Sequence, residues 1–289
     1  MILLRIVPVL GPYNFDLVLS RLALDPLHQV DATERSVKVP IGLENEKIVA
    51  KVKAIGTTEG PVFQLEGIPI KHEEEVIREL TRIFQWESSL IDVYEHFQGT
   101  ELKELFNSHF GTPLVLDFHP YNCLVKCIIH QQLNIKFAYT LTERFVKAYG
   151  TEVNGAWFYP SPDRVAALTV EELRELQFST RKAEYIIDIS KEIAEGRLSL
   201  ESLYDRTDEE IMKELIVYRG IGQWTIQNVL LFGLGRQNLF PIADIGIQNA
   251  LKKLLGLEAK PTKEEMEQLI PAWEPYLSYA SLYLWRSIE

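Results

Sequence analysis

A glycine turn between two apolar-periodic segments constrains this chain more than any other stretch of its sequence. Apolar residues recur at helical spacing over residues 211–218 and again over 224–232, with Gly220 and Gly222 between them. The spacing predicts a helix, a tight turn and a second helix. Glycine tolerates positive φ and lets main-chain N–H groups approach a partner closely. Because amides at a helix N-terminus bind anions, this hairpin can hold a phosphate group without a basic side chain.

The first part of the chain predicts a different kind of structure. The residues over 48–54 alternate in the way that is typical of a strand with one face in solvent and the other packed in the core. The later sequence is helical in its periodicity throughout, and capping-box patterns begin at Thr169 and Thr207. We therefore predict an α+β protein, with a small antiparallel-sheet module at residues 1–87 and a mostly α-helical core at 88–289.

Composition limits the class of protein. Apolar residues make up 46% of the chain, which is ample for a core, yet no run approaches the roughly eighteen residues of a membrane helix. The first residues lack the pattern of a secretory signal. Cys123 and Cys127 are the only cysteines, too few for a four-thiolate iron–sulfur cluster. We expect both to be buried, reduced thiols in a cytoplasmic protein, which would be nucleoid-associated in a bacterium.

The distribution of charge is uneven. The net charge of −11 counts against a nucleic-acid partner. However, residues 211–257 carry five basic and two acidic side chains. Residues 118–150 carry four basic side chains and one acidic side chain. Solvated helix faces are the simpler interpretation of both segments. Both are also compatible with duplex DNA, and the acidic remainder would weaken non-specific binding, which depends on phosphate neutralisation.

An ordered set of motifs carries a family resemblance. After the hairpin come Phe240 and Pro241, then Asp244 at the start of another helix, and finally an aromatic helix that ends at Trp285. From about residue 121 to 285 this set resembles the helix-hairpin-helix DNA glycosylase superfamily, in its 3-methyladenine glycosylase II branch. The resemblance implies a base-excision-repair enzyme that flips alkylated purines, of the 3-methyladenine and 7-methylguanine type, from duplex DNA and hydrolyses the N-glycosidic bond. It implies no catalytic role for the N-terminal module.

Asp244 is the candidate catalytic carboxylate. A helix N-cap is the simpler interpretation of this residue, and the two are compatible because a helix N-terminus stabilises an ionised carboxylate. Cleavage of an N-glycosidic bond develops oxocarbenium character on the sugar, which a nearby anion stabilises. The resemblance implies that Asp244 does this and helps to place the attacking water.

Two tryptophans are the candidates for the base pocket. Strand-cutting relatives carry a Schiff-base lysine two residues after the second hairpin glycine, where this chain has Trp224. The resemblance therefore implies a monofunctional enzyme that uses water. The family's aromatic at the position of Trp285 lines the pocket, and such a ring attracts a cationic methylated purine by roughly 0.5–2 kcal/mol. Packing within an aromatic helix is the simpler interpretation of Trp285. Asn228 stands where some relatives have an aromatic, which leaves the base preference open.

The resemblance also assigns contacts with DNA. It places backbone contacts at Gly220, Gly222 and Thr225. The segment around residues 128–135 resembles the part of the family that enters the minor groove, where a side chain fills the gap left by the extruded base. By position this is Gln132 or Leu133, and the sequence does not separate them, since Leu133 also suits a core position.

The remaining expectations concern cofactors, partners and alternatives. No His, Cys and Asp cluster has metal-ligand spacing, so we predict no cofactor, apart from a monovalent or hard cation that the superfamily's hairpin turn can bind through main-chain carbonyls. We expect a monomer that binds damaged double-stranded DNA and no membrane. A glycosylase for oxidised or deaminated bases and a non-catalytic damage-binding protein remain alternatives. Asp244 disfavours the pure binder, because phosphates repel a carboxylate.

Overall fold

The chain begins with a five-stranded antiparallel sheet that carries one helix. The computed structural model describes residues 2–43 and 46–288. The strands lie in the order β1-β5-β4-β3-β2, and each neighbouring pair is antiparallel. Alternate residues of β4 are buried, which confirms the predicted sheet with one packed face. The elements are β1 (Ile2–Pro8), α1 (Phe15–Leu22), β2 (Gln29–Asp31), β3 (Ser36–Gly42), β4 (Lys47–Ala54) and β5 (Val62–Pro69).

The remaining chain is mostly helical, as predicted, so the protein has an α+β fold. Both predicted capping boxes form, at Thr169 and at Thr207. Within the described residues, no helix has both the length and the apolar character needed to cross a membrane. The helices are α2 (Glu73–Phe84), α3 (Leu90–Phe97), α4 (Lys103–Ser108), α5 (Pro120–His130), α6 (Ile135–Tyr149), α7 (Pro162–Ala166), α8 (Val170–Glu175), α9 (Thr180–Ala194), α10 (Asp208–Leu215), α11 (Gln223–Asn228), α12 (Ile245–Leu254), α13 (Lys263–Trp273) and α14 (Leu277–Arg286).

A short β-hairpin interrupts the helices, and this pair of strands was not predicted. Strands β6 (Thr151–Val153) and β7 (Ala156–Phe158) pair in antiparallel fashion. Asn154 and Gly155 connect them, with φ of 49° and 80°. Asn-Gly favours this two-residue turn because both central residues must adopt positive φ. The signal was therefore present in the sequence.

The buried side chains form two hydrophobic cores. The first core joins the N-terminal sheet to α2–α4 and to the last helices of the chain, α12–α14. The second core is built mainly from α5–α11 in the middle of the chain. Phe232, just after α11, packs against both cores. Packing thus groups the two ends of the chain together, while the proposed division at residues 87 and 88 stays a prediction.

Both cysteines are buried thiols on α5, as expected. Cys123 and Cys127 lie one helical turn apart and are not joined in a disulfide. The hydrogen bond between Cys123 and Cys127, together with burial, raises the pKa of Cys123 well above its usual range. Cys123 therefore stays protonated, which makes it a small packing residue and a poor nucleophile.

Candidate active site

Asp244 is the N-cap of α12 and carries two hydrogen bonds. Its Oδ1 accepts from the Ile247 N–H at 3.0 Å and from the Trp285 indole Nε1–H at 2.9 Å. Both donors and the N-terminal end of the helix stabilise an ionised carboxylate. Both bonds go to Oδ1, so Oδ2 accepts no hydrogen bond from the part of the protein that is described. That oxygen is left for a water molecule or a substrate.

Gly246 allows the contact between Asp244 and Trp285. A Cβ atom on this glycine would lie 2.9 Å from Asp244 Oδ1 and 3.1 Å from Trp285 Cδ1. Any larger residue would therefore push the indole away from the carboxylate. No role was predicted for Gly246, because a close approach of residues forty-one positions apart has no local signature.

Asp244 borders a cavity of about 420 Å³ between the two cores. This volume is typical of small-molecule sites. Both tryptophans predicted for the base pocket also line it, so the structure brings Trp224, Trp285 and Asp244 together. The Trp224 side chain is 39% exposed, whereas that of Trp273 is fully buried. Asn228 lines the cavity as well, and its amide donates to the Trp224 carbonyl at 2.8 Å.

The N-terminal module forms part of the cavity wall, a role that was not predicted for it. The guanidinium of Arg21, in α1, lies 4.8 Å from the ring centroid of Phe232. Phe232 in turn lies beside Trp285, with 5.9 Å between their ring centroids. The aromatic wall of the cavity is therefore covered on one side by a cation. The other residues that the module contributes are Leu22, Leu24, Asp25 and His28.

A buried ion pair also lines the cavity. The Lys126 ammonium in α5 donates to Asp117 Oδ1, and their side chains are only 21% and 13% exposed. Burial alone would raise the pKa of Asp117, but Lys126 outweighs it and holds that pKa below its usual value. Burial opposes the charge of Lys126 too, yet Asp117 raises the Lys126 pKa well above its usual value. Both groups are therefore ionised at neutral pH.

His130 has a structural role at this end of the cavity. Burial, together with the nearby Lys126, lowers the pKa of His130 to about 3. The imidazole is therefore neutral, and its Nε2 shares a hydrogen bond of 3.1 Å with the Thr142 hydroxyl. This arrangement leaves His130 as a partnered side chain in the wall and not as an acid at neutral pH.

The predicted hairpin forms, and its two glycines have different reasons to be glycine. Gly220 has φ of +83°, and a Cβ there would lie 2.2 Å from the Tyr185 ring, so the fold requires glycine. Gly222, the N-cap of α11, has an ordinary φ of −103°. A Cβ on Gly222 would meet no atom within 4 Å. The positive φ expected of this turn is thus needed at Gly220 alone, and the space beside Gly222 is open.

The side chain of Thr225 points into the protein, and its contact with the DNA backbone stays a prediction. Thr225 is 1% exposed, and its hydroxyl accepts from Gln131 Nε2 at 3.0 Å. The same Nε2 donates to the Gly220 carbonyl at 2.7 Å. Because these internal bonds hold the hydroxyl away from solvent, only the main-chain N–H of Thr225 remains a candidate for a phosphate contact.

The two candidates for the minor-groove residue differ in their surroundings. Gln132 is exposed and adopts φ of +54° in the short connection between α5 and α6. Leu133 is half-buried and packs against the second core. The Lys182 ammonium stabilises the start of this connection, because it donates hydrogen bonds of 2.6 Å to the Ile129 and the Gln131 carbonyls. The outermost side chain of the two is therefore Gln132.

Metal binding remains untested. Across residues 2–43 and 46–288, no group of three or more His, Cys, Asp and Glu side chains could hold a metal ion. The cation that the hairpin turn could bind through main-chain carbonyls stays a prediction. One of those carbonyls, that of Gly220, already accepts from Gln131.

Known proteins resemble this chain in sequence and in fold. Residues 125–275 match the family model described as the HhH-GPD superfamily base excision DNA repair protein. The chain is 56% identical over 284 residues to the Bacillus subtilis protein named "Putative DNA-3-methyladenine glycosylase YfjP", covering 98% of each. Its fold matches the 3-methyladenine DNA-glycosylase from Archaeoglobus fulgidus with a TM-score of 0.87, at 24% identity over 98% of this chain and 97% of that one. It also matches the Schizosaccharomyces pombe 3-methyladenine DNA glycosylase Mag1 in complex with abasic DNA, with a TM-score of 0.57 and 26% identity over 68% and 95%.

Proposed function

We propose that this chain, which belongs to the HhH-GPD superfamily of base excision DNA repair proteins and is a DNA glycosylase, excises alkylated purines of the 3-methyladenine and 7-methylguanine type from duplex DNA. One observation carries the proposal. The Asp244 carboxylate, held by Trp285, borders an aromatic-walled cavity large enough for a base. The names of the relatives agree with this substrate class.

In the proposed reaction Asp244 supplies negative charge at the sugar. As the C1′–N bond breaks, its electron pair leaves with the base and the sugar acquires oxocarbenium character. The ionised carboxylate stabilises that cation, and its Oδ2 can orient a water molecule toward C1′. Attack by the water forms the new C1′–O bond and releases a proton to Asp244 or to solvent. The products are a free base and an abasic site, and a cationic alkylated base leaves as a neutral molecule without a proton donor.

The proposed enzyme is monofunctional. Trp224 occupies the position at which strand-cutting relatives carry a Schiff-base lysine. Lys126 is the only lysine among the described residues that line the cavity. Its ammonium is bonded to Asp117, and that carboxylate raises its pKa, so Lys126 is not a nucleophile at neutral pH. Water is then the nucleophile and the DNA strand stays intact.

Base extrusion is proposed to involve the hairpin and the α5–α6 connection. The open space beside Gly222 allows a DNA backbone to approach the main-chain amides at the start of α11. Gln132 is the proposed residue that fills the gap in the duplex, because it is exposed while Leu133 packs against the core. These contacts would position the duplex without reading its sequence.

A direct test measures the bases that the protein releases. Duplex DNA treated with a methylating agent is incubated with the wild-type protein, with Asp244→Asn and with Asp163→Asn. Asp163 is an exposed carboxylate near the start of another helix, α7, and serves as the matched control. We expect wild type and control to release 3-methyladenine and 7-methylguanine, and Asp244→Asn to release neither. Strand breaks should appear only after alkali or heat. No released methylated base from the wild type, or equal release by Asp244→Asn, would overturn the proposal.

A further inference from the structure

The proposed mechanism does not use Lys126, although this residue lines the cavity. An ammonium group has three N–H donors and no acceptor. In the described parts of the chain, Lys126 Nζ has a single hydrogen-bond acceptor, Asp117 Oδ1. Its remaining donors are therefore available to a molecule that enters the cavity. A buried charged donor that is left unsatisfied costs free energy, so a ligand with an acceptor at this place gains stability.

The ion pair permits a cationic ligand as well as a neutral one. Lys126 and Asp117 are both ionised, so together they add no net charge to the cavity wall. Among the residues that the structure describes, the other charged ones that line the cavity are Arg21, Asp25 and Asp244. Carboxylates thus outnumber cations by one, and an alkylated purine cation is not repelled. The donors of Lys126 can then act on the edge of the base without opposing its charge.

The surroundings of Lys126 leave few competing hydrogen-bond partners. His130 lines the same part of the cavity and is occupied by the Thr142 hydroxyl. Tyr139 packs edge-on against His130, with 5.1 Å between the ring centroids. Cys123 is a protonated thiol and accepts hydrogen bonds only weakly. Among the described residues that line the cavity, Lys126 and Arg21 carry the cationic donors, and Lys126 is the one that α5 contributes.

We propose that Lys126 is a specificity-determining residue, whose ammonium, held by Asp117, donates a hydrogen bond to the 6-oxo group of an extruded purine. A 6-oxo group accepts such a bond. A 6-amino group instead presents its own N–H donors to the ammonium, so neither the amino group nor the ammonium finds an acceptor in the other. The cavity then favours alkylated guanines over the matching alkylated adenines. This inference rests on the proposed function and names the part of the substrate that Lys126 recognises.

The test uses pairs of bases that are methylated at the same nitrogen. Methylated duplex DNA contains both 3-methylguanine and 3-methyladenine, and both 7-methylguanine and 7-methyladenine. In one reaction these bases compete for the same protein, so the ratio of guanine to adenine product is independent of the amount of active protein. The variants are Lys126→Met, Lys126→Arg, and the double variant Asp117→Asn with Lys126→Met, which leaves no unpaired buried charge. Thermal unfolding and binding to an abasic duplex show which variants are folded.

We expect the guanine-to-adenine ratio to fall roughly ten- to a hundredfold in the variants without the ammonium, as for loss of a hydrogen bond from a charged donor. Lys126→Arg should retain most of the ratio, because a guanidinium also only donates. If the folded double variant keeps the wild-type ratio, Lys126 is structural and the inference is overturned, while the proposed function stands. If the wild type releases no methylated base, the proposed function itself has failed.

Discussion

The two cores contribute different kinds of group to the site. The first core presents the Asp244 carboxylate, at the start of α12, and the Trp285 indole, on α14. A hydrogen bond joins these two groups. From the hairpin and the α5–α6 connection the second core presents main-chain groups and the exposed side chain of Gln132, and Trp224 of α11 lines the cavity. The main-chain groups belong to the turn at residues 220–222. We propose that the first set acts through charge and stacking, and the second through shape and main-chain hydrogen bonds.

We propose that this difference separates the chemistry of base release from DNA binding. The first set can act only on a base and sugar that have entered the cavity. The second set lies on the surface and can contact a duplex before any base is extruded. Substitutions in distant, independent sites usually have additive effects on free energy. We therefore expect changes in the first set to alter the rate of base release, and changes in the second set to alter affinity for DNA.

The largest effect is expected for Asp244→Asn. The amide keeps an acceptor for the Ile247 and Trp285 donors but loses the negative charge, so base release should slow by roughly a thousandfold or more. Binding to an abasic duplex should be unchanged or tighter, because phosphates no longer face a carboxylate. Single-turnover kinetics measure the rate of base release, and an equilibrium titration measures the affinity for the abasic duplex. Wild-type turnover in this variant would mean that Asp244 is only a helix cap.

Substitution of the hairpin glycines comes next. Gly222→Val should leave the fold intact, since nothing within the protein lies near its Cβ, but it should crowd an approaching DNA backbone. Affinity should fall roughly ten- to a hundredfold for damaged and undamaged duplexes alike, as for loss of a charge-assisted hydrogen bond. Gly220→Val instead should lower the melting temperature, because its side chain meets the Tyr185 ring. Unchanged affinity in a folded Gly222→Val would make the hairpin purely architectural.

Trp285 allows its two contributions to be separated. Trp285→Ala removes both the ring and the hydrogen bond to Asp244, and should slow release of 3-methyladenine by an amount equivalent to roughly 1–3 kcal/mol. Trp285→Phe keeps a ring but loses the indole N–H, and should cost only about 0.5–1.5 kcal/mol. Rates measured under single-turnover conditions report both values. If neither variant slows release, Trp285 has no part in the site, and Asp244 must be oriented by Ile247 alone.

The smallest effects are expected at the α5–α6 connection. Gln132→Ala should slow base extrusion several-fold and leave thermal stability unchanged, because the side chain is exposed. Leu133→Ala should instead lower stability by about 1–2 kcal/mol through lost packing. Fluorescence of a 2-aminopurine placed beside the lesion reports extrusion. The reverse pattern, with slow extrusion only in Leu133→Ala, would assign the groove residue to Leu133.

Ordered local motifs made much of the site predictable. The hairpin was read from apolar periodicity and its glycines, and Asp244, Trp224 and Trp285 from their places in the motif order. The structure puts these three side chains around one cavity. Their individual roles remain predictions. The β6–β7 hairpin was missed although Asn154 and Gly155 are typical of a two-residue turn, because the strands on either side of the turn are only three residues long.

The remaining parts of the site depend on contacts between distant segments. Arg21 reaches Phe232 across more than two hundred positions, and neither residue has a periodicity that predicts the pairing. The choice between Gln132 and Leu133 depended on burial and a positive φ, which adjacent polar and apolar residues do not reveal. Lys126 and Asp117 were visible as charges, but their shared burial beside the cavity follows only from tertiary packing.

The separation of chemistry from DNA binding is tested most directly by one titration. The rate of single-turnover base release from a methylated duplex is measured against protein concentration for wild type, Asp244→Asn and Gly222→Val. We expect Gly222→Val to need more protein but to reach the wild-type plateau, whereas Asp244→Asn should bind at wild-type concentrations and stay far below that plateau. A plateau for Gly222→Val as low as that of Asp244→Asn, or a wild-type plateau for Asp244→Asn, would contradict the separation.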